Sequence, residues 1–183
     1  MPGKTNAAKK KLEWYEDISG KGKKLRKVTL MYLIKEREKK VLLAMKKRGF
    51  GAGRLNGVGG KQEKQESIEE TACREAKEEI GITPLKYEKA GAIRFYFDGP
   101  QSDEFNQEVT VFVAKKWRGE PKESEEMKPK WFKMDRLPYD KMWQDDKYWL
   151  EKVLNGKKID AAFLFGGKDY KEIIDLRMSF LDK

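Results

Sequence analysis

Four glutamates and an arginine, framed by two glycines, stand at fixed spacing within Gly60–Ile82 (GKQEKQESIEETACREAKEEIGI), as G-x5-E-x7-R-E-x-x-E-E-x-G. Glu75, Glu78 and Glu79 fall at i, i+3 and i+4, so a helix gathers them on one face. Three clustered carboxylates repel one another in water. The cluster becomes tolerable when it binds a hard cation, and an oxygen-only donor set suits Mg²⁺ or Mn²⁺. Acidic helix faces are more often plain solvated surface. The length of the pattern separates this one from that case: the Gly59–Gly60 pair, a loop of set length, Arg74 beside Glu75, then Glu78-Glu79-x-Gly81.

The elements that must position these groups are legible around them. Ser67 is a good N-cap, and Glu70 three residues on completes a capping box. Gly81 suits the left-handed position that ends a helix. Ala72, Ala76 and Ile80 form the opposite stripe, small and apolar enough to pack on a sheet, and Cys73 reads as a packed small residue. Upstream, Lys46–Gly60 (KKRGFGAGRLNGVGG) is a basic, glycine-rich loop whose backbone can approach a ligand closely, and it runs directly into the acidic helix. Val28–Ile34 and Val41–Met45 predict a hairpin across the charged turn Lys35–Lys40. Lys86–Phe97, Val109–Lys116, Lys128–Phe132, Ala161–Phe165 and Ile173–Phe180 predict further strands, with a polar loop at Asp98–Asn106 and a turn at Gly166–Asp169. Asp140–Leu154 predicts a helix ended by Asn155-Gly156. With no repeat and no linker, one α+β domain is expected over 28–183. It follows a basic extension, 1–27, that reads as a tail or loosely docked arm with a short turn at Lys9–Tyr15.

Composition narrows the chemistry. The 183 residues suffice for one domain with a real core. The net charge is +10, from 41 Lys+Arg against 31 Asp+Glu. Much of the excess sits in the first 27 residues, which hold nine basic residues against Glu13, Glu16 and Asp17. Such an arm can touch nucleic acid, but an ordinary solvated tail is the commoner outcome. Histidine is absent, which excludes Ser-His-Asp and Cys-His catalysis and zinc sites with His ligands. Acid–base work therefore falls to carboxylates, Lys, Tyr or water. With a single cysteine, Cys73, no disulfide within the chain is possible, and a cytoplasmic setting is expected. No apolar run approaches the roughly 18 residues of a membrane span, and no secretory leader or membrane partner is expected.

The Gly60–Ile82 pattern resembles the Nudix box, the signature of hydrolases that cleave a nucleoside diphosphate linked to another group. Ala76 departs from it, standing where the family carries a larger aliphatic residue, a change that touches packing and not the carboxylates. The resemblance extends into KKRGFGAGRLNGVGGK (Lys46–Lys61), ESEEMKPKWF (Glu123–Phe132) and MWQDDKYW (Met142–Trp149), which look like segments of the animal MutT-homologue group of that family. It covers roughly Val28 to Arg177. The implied fold is a mixed β-sheet between helices, an α/β/α sandwich. The implied reaction is Mg²⁺-dependent (or Mn²⁺-dependent) hydrolysis of oxidised purine nucleoside triphosphates, such as 8-oxo-dGTP and 2-hydroxy-dATP, to monophosphate and pyrophosphate, by a monomer. The implied metal site is the Gly59 carbonyl with Glu75, Glu78, Glu79 and Glu126. The implied substrate pocket takes Thr29, Lys46, Asn56, Val58, Trp143, Gln144, Asp145 and Asp146. Phe50, Phe95, Phe97, Met127 and Trp149 are its apolar walls, and the Gly59, Gly60 and Lys61 backbone lies beside it. Val58 stands where the animal enzymes carry a phenylalanine, and Gln107 stands near a pocket methionine.

Asp145 and Asp146 carry a logic of their own. Adjacent carboxylates facing one ligand resist double ionisation, so one keeps its proton and donates while the other accepts. Alternatively the pair simply caps the helix that follows. Asn56 offers both a donor and an acceptor, and Trp143 either stacks a base or is core. For removing a proton from the attacking water, Glu79 and Glu126 are equal candidates. Arg74 can contact phosphate but is expected rather to pair with Glu75 and orient it, and Glu66 is expected to be an indirect ligand or to fix the loop. Two other functions fit parts of the pattern. One is a Nudix hydrolase acting on a dinucleoside polyphosphate, a nucleotide sugar or a capped RNA end. The other is a non-catalytic nucleotide- or RNA-binding module, against which the complete Glu75–Glu78–Glu79 set argues.

Overall fold

A computed structural model describes Glu13, Glu16, residues 25–99 and residues 102–181, with the backbone alone at 102 and 103. Its eight strands are β1 (Arg26–Lys35), β2 (Lys40–Lys46), β3 (Leu55–Asn56), β4 (Thr83–Phe97), β5 (Gln107–Arg118), β6 (Met127–Lys133), β7 (Lys158–Gly166) and β8 (Glu172–Leu181). The helices are α1 (Ile68–Ile80), the one-turn α2 (Ser102–Phe105) and α3 (Asp146–Leu154). The strands form one mixed sheet. β1 runs parallel to β5, β4 lies antiparallel to β5 and parallel to β7, and β8 closes the edge antiparallel to β7. At the other end β2 pairs antiparallel with β6 along its length, and with β1 and then β3 over successive stretches.

Both faces of this sheet are covered, which explains why β1 and β2 read as nearly continuous apolar runs. Successive side chains alternate between faces. Met31 and Leu33 of β1 join Ala72, Ala76 and Ile80 of α1 in one core. Tyr32 and Ile34 join Trp149, Leu150 and Val153 of α3 in the other. The expected sandwich of helices about a mixed sheet is the observed architecture. No helix among the described residues is long and apolar enough to cross a membrane.

α1 begins and ends where its sequence dictates. The Ser67 hydroxyl accepts the Glu70 amide at 3.2 Å, and the Glu70 carboxylate accepts the Ser67 amide at 2.7 Å. Gly81 closes the helix at φ 76°, in the left-handed region. Three expectations change. The helix expected over Asp140–Leu154 is broken: a 3-10 turn at Tyr139–Lys141 leads into extended Met142, and α3 starts only at Asp146. The break follows from Asp146, whose carboxylate accepts the Trp143 amide at 3.0 Å and so offers the backbone a non-helical partner. The polar loop at Asp98–Asn106 holds the short α2. The first strand starts before Val28: β1 opens at Arg26, and Leu25 packs against the small cluster of Tyr96, Ala162 and Leu164. Most of the expected extension 1–27, including the turn at Lys9–Tyr15 apart from Glu13, lies outside the described residues. Within it, Glu16 pairs with Arg177 at 2.6 Å and approaches Arg94 at 3.9 Å.

Ser67→Ala removes one half of the capping box and leaves Glu70 without its reciprocal partner. A loss of about 1 kcal/mol of unfolding free energy is expected, read from urea denaturation. An unchanged midpoint would mean that packing on the sheet alone fixes the start of α1.

Candidate active site

The segment Gly57–Lys61 divides the site. It leaves β3 and runs antiparallel beside β1. Val58 and Met31 exchange backbone hydrogen bonds at 2.7 and 3.0 Å, and the Thr29 amide donates to the Gly60 carbonyl at 2.9 Å. The approach is close enough to require glycine: a Cβ on residue 59 would lie 2.0 Å from the Thr29 carbonyl oxygen, and one on residue 57 would lie 2.8 Å from that of Met31.

One side of the segment meets the α1 carboxylates. Arg74 is their hub. Its guanidinium donates to both oxygens of Glu66 (2.7 and 3.1 Å), to Glu75 (2.9 Å), to Glu78 (3.0 Å) and to the Lys61 carbonyl (3.2 Å). The bonds from Arg74, with help from the Thr71 hydroxyl and the Glu63 amide, hold the Glu66 carboxyl down at about 2. Glu75 and Glu79 go the other way. Burial raises both, Glu79 to about 7, against the Gly59 amide that donates to it at 2.8 Å and the charge of Lys46. Glu126 faces the same region from the start of β6 and is paired with Arg48.

Among the described residues no three Asp, Glu or Cys side chains converge closely enough to enclose an ion by themselves. The donor chemistry nevertheless fits a hard divalent cation. Glu75 and Glu79 are partly or fully withdrawn from water; burial raises both, with the charges of Glu78 and Glu126 adding at Glu75, and those of Glu75 and Glu126 at Glu79. The Gly59 carbonyl takes no hydrogen bond from the described residues. The absent side chain of Gly60 leaves room that the Glu75 carboxylate fills, since a Cβ there would lie 2.2 Å from its oxygen.

The other side opens into a cavity of about 410 Å³, within the range of nucleotide-sized pockets. Of the residues expected around a purine, Thr29, Lys46, Phe50, Asn56, Gly59, Gly60, Lys61, Phe95, Phe97, Met127, Trp143, Asp145, Asp146 and Trp149 line it, and so does Gln107. Val58 and Gln144 do not. Val58 is buried in the core beneath α1, because its pairing with Met31 turns its side chain to that face. It therefore does not line this cavity. Gln144 points to solvent from the turn before α3.

Polar groups at the cavity floor are fixed in direction. The Asn56 oxygen accepts from the Tyr32 hydroxyl (2.9 Å) and the Gly57 amide (2.8 Å), so the residue presents its amide nitrogen as a donor. Asp145 accepts from the Trp149 indole nitrogen at 2.9 Å, and Asp146 from the Trp143 amide. Neither carboxylate caps the first turn of α3. Burial pushes both carboxyls up, Asp146 further through the charge of Asp145, while Arg54 opposes both shifts.

Sequence reasoning missed several lining residues. Arg54 lies 4.3 Å over the Trp143 ring and donates to the Met142 carbonyl at 2.9 Å, tying the glycine loop to the turn that carries the aspartates. It stands two residues before Asn56, so strand alternation would have put both on one face. Phe165 is the cross-strand partner of Phe97 and stacks on it at 5.6 Å. Phe105 of α2 stacks on Phe50 at 4.6 Å, and no signal short of the loop's folded path would have found it.

Comparison with known proteins agrees with this geometry. Residues 24–153 match the family model for the NUDIX domain. Over 130 residues the chain is 45% identical to a Danio rerio protein and 47% identical to a Mus musculus protein, each named oxidized purine nucleoside triphosphate hydrolase. Each match covers 71% of this chain and 81% of the relative. The fold is similar to the crystal structure of a MutT protein from Bacillus halodurans, with a TM-score of 0.72 at 31% identity, covering 84% of this chain and 97% of that one. A MutT Nudix hydrolase from Burkholderia pseudomallei gives a TM-score of 0.55 at 25% identity, over 63% of this chain and 88% of that one. A family match across residues 24–153 and relatives above 40% identity over most of their length leave one conclusion: the chain belongs to the Nudix hydrolase family.

Proposed function

We propose that this protein hydrolyses oxidised purine nucleoside triphosphates to the monophosphate and pyrophosphate, with Mg²⁺ (or Mn²⁺) as cofactor, as a monomer in the cytoplasm. The observation that carries the reading is the pairing of two sites across one glycine segment. A base-sized cavity ending in Asn56, Asp145 and Asp146 lies on one side of Gly59–Gly60, and a cluster of carboxylates lies on the other. The names of the Danio rerio and Mus musculus relatives support the substrate class.

In this reading the residues divide the work. Asn56 donates to an acceptor on the purine edge. The aspartate pair shares a proton, so that one carboxyl donates while the other accepts. Trp143, held from behind by Arg54, covers a face of the base, with Phe50, Phe95, Phe97, Met127 and Trp149 excluding water. Thr29, Lys46 and Lys61 flank the passage toward α1. Glu75, Glu78, Glu79, Glu126 and the Gly59 carbonyl are the groups that would hold the divalent cation. Such an ion neutralises the polyphosphate and lowers the pKa of a bound water. Glu79 is fixed by the Gly59 amide, which leaves its other oxygen to face the cation and the attacking water. Arg74 orients Glu75 and Glu78 and, through Glu66 and the Lys61 carbonyl, the loop that carries the glycines.

A magnesium-dependent hydrolysis panel tests the substrate class, set against dinucleoside polyphosphates, nucleotide sugars and capped RNA. Glu79→Gln is expected to lower kcat on 8-oxo-dGTP about a thousand-fold while nucleotide binding persists. Undiminished turnover would remove Glu79 from the reaction. Asp145→Ala is expected to raise KM for the purine triphosphate about ten-fold, with a smaller change in kcat. An effect on kcat alone would take Asp145 out of base recognition. The raised carboxyls also make a stability prediction. An unfolded aspartate titrates near ~4, and above that the folded state keeps a proton the unfolded chain has lost. Wild-type stability must then fall as pH rises through the folded pKa values. Asp146→Asn removes one titrating member, so its urea midpoint should gain on wild type as pH rises above the unfolded aspartate range of about 4. Parallel curves for the two proteins would show that the pair holds no such proton.

A further inference from the structure

One cation on the cavity wall has no role in this division of work. Arg26, Val28 and Leu30, on the same face of β1, line the cavity in a row, with Arg26 the outermost. In register beside Arg26 on β5 is Gln107, which lines the same wall. The Arg26 guanidinium makes no hydrogen bond or ion pair with any described residue, and its Nε is shut off from solvent without an acceptor. The other partly buried arginines each have a partner: Arg54 the Met142 carbonyl, Arg74 three glutamates, and Arg94, whose Nε also lacks an acceptor, Asp160 through a terminal nitrogen. Lys27, the next residue, faces the opposite way and is paired with Glu108. Glu104 also reaches the cavity rim, but it is exposed and does not pair with Arg26.

A guanidinium cannot shed its charge, and since the shut-off Nε is closed to a ligand as it is to water, the two terminal nitrogens, which pair with no described residue, are the donors it offers to the cavity. The position says which ligand. Val28 bridges to Lys61, so the rim beside Arg26 is the Gly60–Lys61 turn, and the far side of Gly60 is against the Glu75 carboxylate. A nucleotide with its base in the cavity and its polyphosphate at α1 must cross this rim. Lys61, exposed there and without an ion-pair partner among the described residues, adds a second positive charge. We propose that Arg26 is a substrate-contacting residue whose guanidinium fork binds phosphate oxygens of the purine nucleotide where the chain leaves the base cavity. The inference rests on the nucleotide reading given above. Planar bidentate recognition of phosphate is what arginine supplies and lysine does not.

Two variants test it. Arg26→Met keeps the apolar stem and loses the charge; Arg26→Lys keeps the charge and loses the fork. Calorimetric titration with 8-oxo-deoxyguanosine and with its 5′-monophosphate, at constant salt, separates base from phosphate. Arg26→Met is expected to weaken the monophosphate about ten-fold or more and leave the nucleoside unchanged, with Arg26→Lys in between. Thermal unfolding of each variant confirms that it is folded, and Arg26→Lys carries the test if Arg26→Met does not fold. Equal loss for both ligands would overturn the proposal by making Arg26 part of the base wall, and so would no loss for either. A wild-type protein that binds neither ligand would overturn the nucleotide reading itself. A wild-type protein that binds both, with Arg26→Met indistinguishable from it, would overturn the role of Arg26 alone.

Discussion

The site depends on the four-way engagement of Arg74. One guanidinium joins Glu66 at the end of the loop, Glu75 and Glu78 on the helix, and the Lys61 carbonyl on the far side of the glycine turn. The Glu66 contact uses two nitrogens on two oxygens, the geometry in which arginine–carboxylate pairs are strongest and most directional. The loop 61–66 is therefore bound to α1 by a planar clamp, and the clamp transmits position backward: Lys61 fixed means Gly59 and Gly60 fixed against β1. Without it, the acidic face of α1 would carry uncompensated repulsion and the glycine segment would lose its anchor. Lysine at this position could satisfy the charge but not the four directions at once.

A fixed glycine segment is what allows two chemically opposed environments to share a wall. On the α1 side the segment offers a backbone amide to Glu79 and a free carbonyl from Gly59. On the cavity side it closes a space lined by aromatic rings, with Asp145, Asp146 and Asn56 at the floor. Side chains on residues 57, 59 or 60 would separate it from β1 or displace Glu75. The glycines are thus demanded by close approach on both surfaces.

Much of this was legible in the chain. The Ser67–Glu70 box and Gly81 bounded α1, because capping is a local matter of side chain and backbone. Strand alternation marked the walls at Phe95 and Phe97. What escaped reading was set by contacts distant in sequence. Val58 looked like a pocket residue, but its direction is decided by pairing with Met31, and an extended residue between glycines carries no alternation from which to read its face. The start of α3 escaped because a helical pattern in Asp140–Leu154 competes with one side chain, Asp146, that takes the Trp143 amide. Arg26 fell in what reads as a basic arm, since the composition of a charged segment conceals the point where it becomes a strand. Phe105 belongs to a loop whose fold is fixed by the rings it meets, Phe50, Phe97 and Tyr170.

The two carboxylate clusters solve one electrostatic problem by different means, and the difference separates catalysis from recognition. On α1, the charges of Glu66, Glu75 and Glu78 are balanced by Arg74, while Glu79, raised by burial, meets the Gly59 amide and the nearby charge of Lys46. These groups run from exposed Glu78 through half-buried Glu75 to buried Glu79, and each is held by a partner that a cation could replace. At the cavity floor Asp145 and Asp146 are almost fully buried, and Arg54, occupied with Trp143 and the Met142 carbonyl, is the cation the pair feels. Charge there is suppressed by retaining a proton, the less costly response when two acids are shut away from water together. A retained proton is also a directional one. With Asn56 locked as a donor by Tyr32 and Gly57, the floor presents one fixed donor and one pair able to move its proton between donor and acceptor. On the nucleotide reading proposed above, the combination would accept more than one purine edge while rejecting a ligand that leaves a buried carboxyl unmatched. On that reading, discrimination among bases rests on protonation within the pair, and the α1 carboxylates are left free of any role in choosing the base.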